Sequence, residues 1–450
     1  KETSPEDVGG MHAAQGILTA TGGKTSHAAV VARGWGKCCI VGCEKLVIDY
    51  EKGECSYDGK VLKEGDFITL DGTKGDVYVG ELKLVQAKQP ESYKTLMKWV
   101  DETRTIKVRT NADRPEDAKV AIEHGAEGIG LCRTEHMFFN DEKRILAIRE
   151  MIVADSTEGR KKALARLLPI QTKDFEGIFK VMDGKGVTIR LIDPPLHEFV
   201  PHDKEGQQKL GDALNIEFRK IQERVEQLHE ANPMLGHRGC RLTITYPEIY
   251  KMQTEAVTLA AIECKKRGIP VRPMIMIPIV CEPTELATIR KECEEVIAKI
   301  EKESGMKVAI EIGTMIEVPR AALLSGEIAK VADFYSFGSN DLTQLTFGFS
   351  RDDAGKFLNA YYHRNILDDD PFKTLDEKGV GKLMDMAVAA AREVKPEMHL
   401  GICGEHGGDP ATIDFCYRVG LDYVSCSPYR VPIARLSAAQ AVIRAAKAKK

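Results

Sequence analysis

The chain has 450 residues, with 64 Lys and Arg against 68 Asp and Glu, a net charge of −4 and 43% hydrophobic residues. That length supports two or three packed domains, and the intermixed charges leave no basic tract for nucleic acid. No apolar run approaches the ~20 residues that span a bilayer, and the opening KETSPEDVGG lacks the apolar stretch of a signal peptide.

Residues 1–81 read as a small glycine-rich α/β unit. Strand-like runs at 37–41, 66–70 and 76–79 are set apart by the turn signals Asp58-Gly59, Asp71-Gly72 and Lys74-Gly75. A domain rarely opens on a loop such as KETSPED, so this unit is expected to lack residues upstream. Its most informative stretch is ATGGKTSHAAVVARGWG, residues 20–36. A nucleotide P-loop ending in Gly23-Lys24-Thr25 needs glycine at position 18, and Leu18 stands there. A helix running from Thr25 or Ser26 to Arg33, stopped by Gly34, instead puts His27 in its first turn. Free N–H groups and the helix dipole favour a bound phosphate at that place. A histidine so placed can act as nucleophile and take up a phosphoryl group, although an isolated one at a helix start is more often structural.

Residues 82–105 form a polar, lysine-bearing helical stretch, read as a linker long enough to let a domain swing. From 106 to 450 short apolar runs alternate with helical stretches. The runs fall at 106–109, 128–132, 187–192, 272–277, 310–318, 334–337 and 399–403, with a weaker one at 234–242. Eight strands alternating with helices over such a length predict an enlarged (β/α)8 barrel, so the fold class is α/β. The twelve cysteines are scattered without a C-x-x-C pair, which reads as reduced thiols rather than a zinc site.

Barrel chemistry gathers at the C-terminal ends of the strands. There the runs carry Arg133, Arg190 followed by Asp193, Arg238, Glu317, the sequence Gly338-Ser339-Asn340-Asp341, and Cys403. Each has an ordinary alternative: a lone arginine is usually a surface ion pair, Glu317 or Asp341 could cap a helix, and Cys403 could fill the core. Their coincidence at equivalent strand ends favours function. Two carboxylates suit Mg²⁺ with open positions, and arginines supply bidentate donors for phosphate and carboxylate.

The stretches GGKTSHAAVVARGWGKCC, GLCRTEHMFF, RLIDPPLHEFVP, LGHRGCRLTITYPEIY, GTMIEVPRAALL, FGSNDLTQLTFGFSRDD and GICGEHGGDP span nearly the whole chain. Through them it resembles the phosphoenolpyruvate-utilising enzymes, and among these the pyruvate, phosphate dikinases. The resemblance implies a phosphohistidine domain, a linker and a pyruvate/phosphoenolpyruvate-binding TIM barrel that also forms a homodimer. It implies that His27 carries the phosphoryl group, that Glu317 and Asp341 bind Mg²⁺, and that Cys403 exchanges the proton at the methyl carbon. Arg133, Arg190, Arg238, Glu317, Gly338, Ser339, Asn340 and Asp341 would hold substrate, with Arg351 supporting the mouth. Thr25 matches a threonine that is phosphorylated in plant dikinases. Lys24 departs from the family, which usually has methionine there. The family's nucleotide-binding ATP-grasp domain is absent ahead of the histidine, so ATP and phosphate would be handled upstream. The alternatives are a phosphoenolpyruvate synthase, enzyme I of the sugar phosphotransferase system, or a non-catalytic relative. HEFVP and HRGCRLTITYPEIY favour the dikinases. The expected compartment is the cytoplasm, with any transit peptide lying upstream.

Overall fold

A computed structural model describes residues 1–450 except 4–6, 24–25, 35–36, 51, 85–89, 141 and 449–450. The chain divides into two compact units, Lys1–Leu96 and Met97–Lys450.

In the first unit β1 (Gly16–Leu18) pairs in parallel with β2 (Cys38–Ile40), and the helix His27–Gly34 lies between them in the chain. A small core forms from Met11, Ile17, Ala28 and Ala32. The alanines matter because they let the helix lie close to β1 and β2. Lys37 Nζ donates to the carbonyls of Met11 and Ala14, satisfying the end of the preceding helix Val8–Ala13. Antiparallel strands follow: β3 (Val47–Asp49), β4 (Glu54–Tyr57) and β5 (Lys60–Lys63), then the hairpin of β6 (Ile68–Asp71) and β7 (Asp76–Val79). Asp58 and Gly59, both at positive φ, make the two-residue turn between β4 and β5.

The second unit is a closed parallel barrel. Its strands are β8 (Lys107–Asn111), β9 (Gly128–Arg133), β10 (Gly186–Arg190), β11 (Arg272–Ile277), β12 (Glu311–Ile316), β13 (Phe334–Phe337), β14 (His399–Ile402) and β15 (Tyr423–Cys426). Helices cover the outside, so most residues of these strands are buried on both faces. The interior is packed by Leu131, Met274, Met276, Met315, Phe334 and Cys403, which leaves the mouth as the place for chemistry.

One of the predicted runs needs correction, and one strand lies outside all of them. Residues 234–242 form no strand: a 3₁₀ turn, Pro233–Leu235, leads to the helix Cys240–Thr245. Pro233 lacks a ladder N–H, and Gly239 sits at φ +57°, outside the extended region. The eighth strand is β15, which closes the barrel by pairing Tyr423 with Lys107 and Cys426 with Thr110.

The helix Glu91–Thr103 falls within the predicted linker. Its last turns belong to the second unit, where Met97 and Val100 are buried and Asp101 pairs with Arg104 and Arg435.

Candidate active site

Arg190 ends β10, a strand buried along its whole length. Its guanidinium pairs with Glu135, just beyond β9, and Nη1 reaches Asp193 Oδ2 at 3.0 Å. Asp193 is 1% exposed and also accepts from Arg238, whose Nε donates to Oδ1 at 3.1 Å. Arg238 Nη1 then donates to Asp341 Oδ1 at 3.0 Å. A single buried carboxylate therefore fixes two arginine forks, each with its planar donors pre-oriented. Burial raises the Asp193 pKa, but Arg190 and Arg238 outweigh it and hold the carboxyl below its ordinary range. For both arginines burial acts downward, and the surrounding carboxylates more than reverse it.

Glu317 follows β12 and is fully buried. Its Oε1 accepts from the Ile279 N–H at 2.7 Å, while Oε2 has no partner among the described residues. Ile279 holds φ +59°, an outlier for a β-branched residue that costs on the order of 1–3 kcal/mol. Gly239 backs it closely: a Cβ on Gly239 would lie 2.9 Å from Ile279 Cβ. The strained backbone thus aims one N–H at one oxygen of Glu317 and leaves the other oxygen open.

Burial pushes the Glu317 pKa well up, Asp341 and Asp193 push it further, and Arg190 and Arg238 only partly oppose them. Asp341 is also raised, chiefly by burial, against the pull of Arg238. Two carboxylates that resist ionisation, Glu317 fully buried and Asp341 partly so, make a place that gains from a hard cation. Among the described residues no group of three or more His, Cys, Asp or Glu gathers around a metal position. Mg²⁺ does not require one, because it binds through one or two carboxylates and keeps waters or substrate oxygens. The donor set fits it.

Cys403 follows β14, is 1% exposed, and its N–H donates to the Phe337 carbonyl at 3.1 Å. Burial pushes its thiol up to about 11, so it keeps its proton at neutral pH. Asn340 and Asp341 lie in the first turn of the helix Ser339–Phe347, with Gly338 at its N-cap. Asn340 Oδ1 accepts from the Glu405 N–H at 3.0 Å, which ties that helix start to the turn after Cys403.

Arg133 ends β9, and its N–H is held by Asp113 Oδ1 at 2.6 Å. Arg351 is exposed at the start of the helix Arg351–His363. His27 is the first residue of the helix His27–Gly34 in the other unit. Thr25 and Lys24 lie outside the described residues. Sequence reasoning gave no role to Asp193, Glu135, Asp113, Ile279 or His406. Asp193 and Glu135 were within reach, since each follows a strand-end arginine by two or three residues. Ile279 acts through its backbone and leaves no signal.

The family described as PEP-utilising enzyme, PEP-binding domain, matches residues 87–443, and the PEP-utilising enzyme mobile domain matches residues 1–75. The chain is 55% identical over 443 residues to a pyruvate, phosphate dikinase of Clostridium symbiosum, covering 98% of this chain and 51% of that protein. It is 54% identical over 444 residues to one from Giardia intestinalis, covering 99% and 50%. A chloroplastic pyruvate, phosphate dikinase of Oryza sativa is 53% identical over 444 residues, with 98% and 47% covered. The chain spans about half the length of these relatives. None of its described helices is long and apolar enough to cross a membrane.

Proposed function

The chain belongs to the phosphoenolpyruvate-utilising enzymes, and from that premise we propose that it performs the pyruvate half of the pyruvate, phosphate dikinase reaction. In this reading a phosphoryl group passes between the imidazole of His27 and the enol oxygen of pyruvate, in either direction. The observation that carries the proposal is Glu317 Oε2, buried without a partner among the described residues, beside Asp341 and two forked arginines.

Arg133, Arg190 and Arg238 supply bidentate donors for the carboxylate and phosphoryl oxygens of phosphoenolpyruvate. Asn340 and the free N–H groups at the start of Ser339–Phe347 add donors at the same mouth. Glu317 and Asp341 would hold Mg²⁺, which supplies a further positive charge where the oxyanion develops. Toward pyruvate, the bond from phosphorus to the enol oxygen breaks and His27 takes the phosphoryl group. The electron pair left on oxygen becomes an enolate, and the Cys403 thiol delivers its proton to the methylene carbon. The thiolate is then reprotonated from solvent. Its high pKa in this apolar setting suits Cys403 to the acid role.

On the resemblance alone we also propose that two copies pair through the barrel, that ATP and phosphate serve the complete reaction, and that Thr25 is a phosphorylation switch. A phosphate at Thr25 would repel the group bound for His27.

Deuterium uptake from solvent into the methyl group of pyruvate tests the barrel chemistry by NMR. Mg²⁺-dependent exchange is expected in the full chain and should be lost in Asp341→Ala. Undiminished metal-dependent exchange in that variant would sink the assignment.

A further inference from the structure

His406 is fully buried in the 3₁₀ turn Glu405–Gly408, and both of its ring nitrogens are engaged. Nε2 lies 2.8 Å from the Pro371 carbonyl, and Nδ1 lies 2.7 Å from Ser339 Oγ. A carbonyl can only accept, so Nε2 carries the proton and Nδ1 presents a lone pair. The Ser339 hydroxyl must therefore donate to Nδ1, which fixes its rotation and turns only lone pairs elsewhere. Burial disfavours the imidazolium, which keeps this arrangement neutral.

The two residues lie at a junction. Ser339 opens the helix that carries Asn340 and Asp341, and His406 is three residues beyond Cys403. Between them the turn is packed without slack, since a Cβ on Gly404 would sit 2.1 Å from Ser339 Oγ. The Glu405 N–H on Asn340 makes a second tie across the same seam. Pro371, on the far side of the ring, belongs to the segment that links β13 and β14.

We infer that His406 is a positioning residue, which through Ser339 sets the Cys403 turn against the substrate-holding helix start and so governs proton transfer more than binding. This rests on the proposed pyruvate chemistry. A ring that only filled space would affect folding and binding together. A ring that aligns the acid affects turnover alone, because small misplacements of a reacting group are costly in rate.

Two substitutions, each reproducing the position of one ring nitrogen, separate its bonds. His406→Asn puts an amide oxygen near the place of Nδ1 and keeps the Ser339 bond. His406→Gln puts an amide N–H near the place of Nε2 and keeps the Pro371 bond. The full chain is assayed for Mg²⁺-dependent methyl exchange of pyruvate, with thermal unfolding as control. Expected is a loss of about tenfold in kcat for His406→Gln, recovery to within about threefold of wild type for His406→Asn, and KM within about threefold in both. Ser339→Ala deletes the same bond from the other side with little loss of volume. Its double variant with His406→Gln should lose no more than the worse single variant, because both remove one interaction. Equal losses in His406→Asn and His406→Gln, losses confined to KM, additive losses in the double variant, or full activity throughout would overturn the inference. Absence of exchange in the wild-type chain would bring down the functional reading first, and this inference with it.

Discussion

Gly338 lies against Glu317 so closely that a Cβ at position 338 would stand 2.6 Å from Glu317 Oε2. That oxygen is buried and has no partner among the described residues, so the glycine keeps open the space beside it. The backbone at Gly338 has φ −85°, which any residue can adopt. The glycine is required by space, not by conformation.

Gly338→Ala should therefore strike the cation site more than the fold. Calorimetric titration with Mg²⁺ is expected to show at least about a tenfold loss of affinity, while stability falls by only about 1–2 kcal/mol. An alanine variant with unchanged Mg²⁺ affinity would mean that Glu317 Oε2 is not a ligand.

Asp193 should dominate the stability of the mouth. Replacing it with asparagine leaves Arg190 and Arg238 buried against weaker acceptors, an expected cost of about 3–5 kcal/mol at pH 7 by denaturant unfolding. The pH dependence has a definite sign. The pKa of Asp193 is depressed in the folded chain, so its stabilisation is present above the ordinary value of 3.8 and is lost as pH falls below it. The gap between Asp193→Asn and wild type should accordingly narrow in acid. A gap that is constant between pH 7 and pH 3 would assign the loss to packing.

Cys403→Ser should separate chemistry from binding. The hydroxyl nearly matches the thiol in size but is a far weaker acid. Phosphoenolpyruvate affinity is expected to stay within about threefold, and exchange to fall at least about a hundredfold. Because the thiol is pushed up to about 11 by burial, wild-type activity that needs its proton should hold across neutral pH and decline only toward that value. Serine turning over as fast as cysteine would reduce Cys403 to filler.

Much of this was legible because buried parallel strands write themselves as short apolar runs. Residues 187–190 are buried on both faces and were visible for that reason. Residues 234–242 misled because Met234, Leu235 and Leu242 are apolar, while Pro233 and Gly239 forbid the strand. β15 was missed because Tyr-Val-Ser-Cys is short, and Ser425 has a steric reason that no pattern records. It fits opposite Gly130, where a Cβ would come 2.4 Å from it. Residue types at the strand ends were readable, but their couplings were not. Asp193 meets Arg238 across 45 positions of sequence. His406 meets Ser339 across 67, and the positive φ of Ile279 is imposed by its neighbours, not by its own side chain.

The central claim is transfer of a phosphoryl group between phosphoenolpyruvate and His27, and labelling tests it most directly. The full chain is incubated with Mg²⁺ and phosphoenolpyruvate carrying a labelled phosphoryl group, then treated with acid or base. The expected result is covalent label that is acid-labile and base-stable, as a phosphohistidine is, and that disappears in His27→Ala. Label that persists in His27→Ala, or no label in a chain that still exchanges the methyl protons of pyruvate, would contradict it.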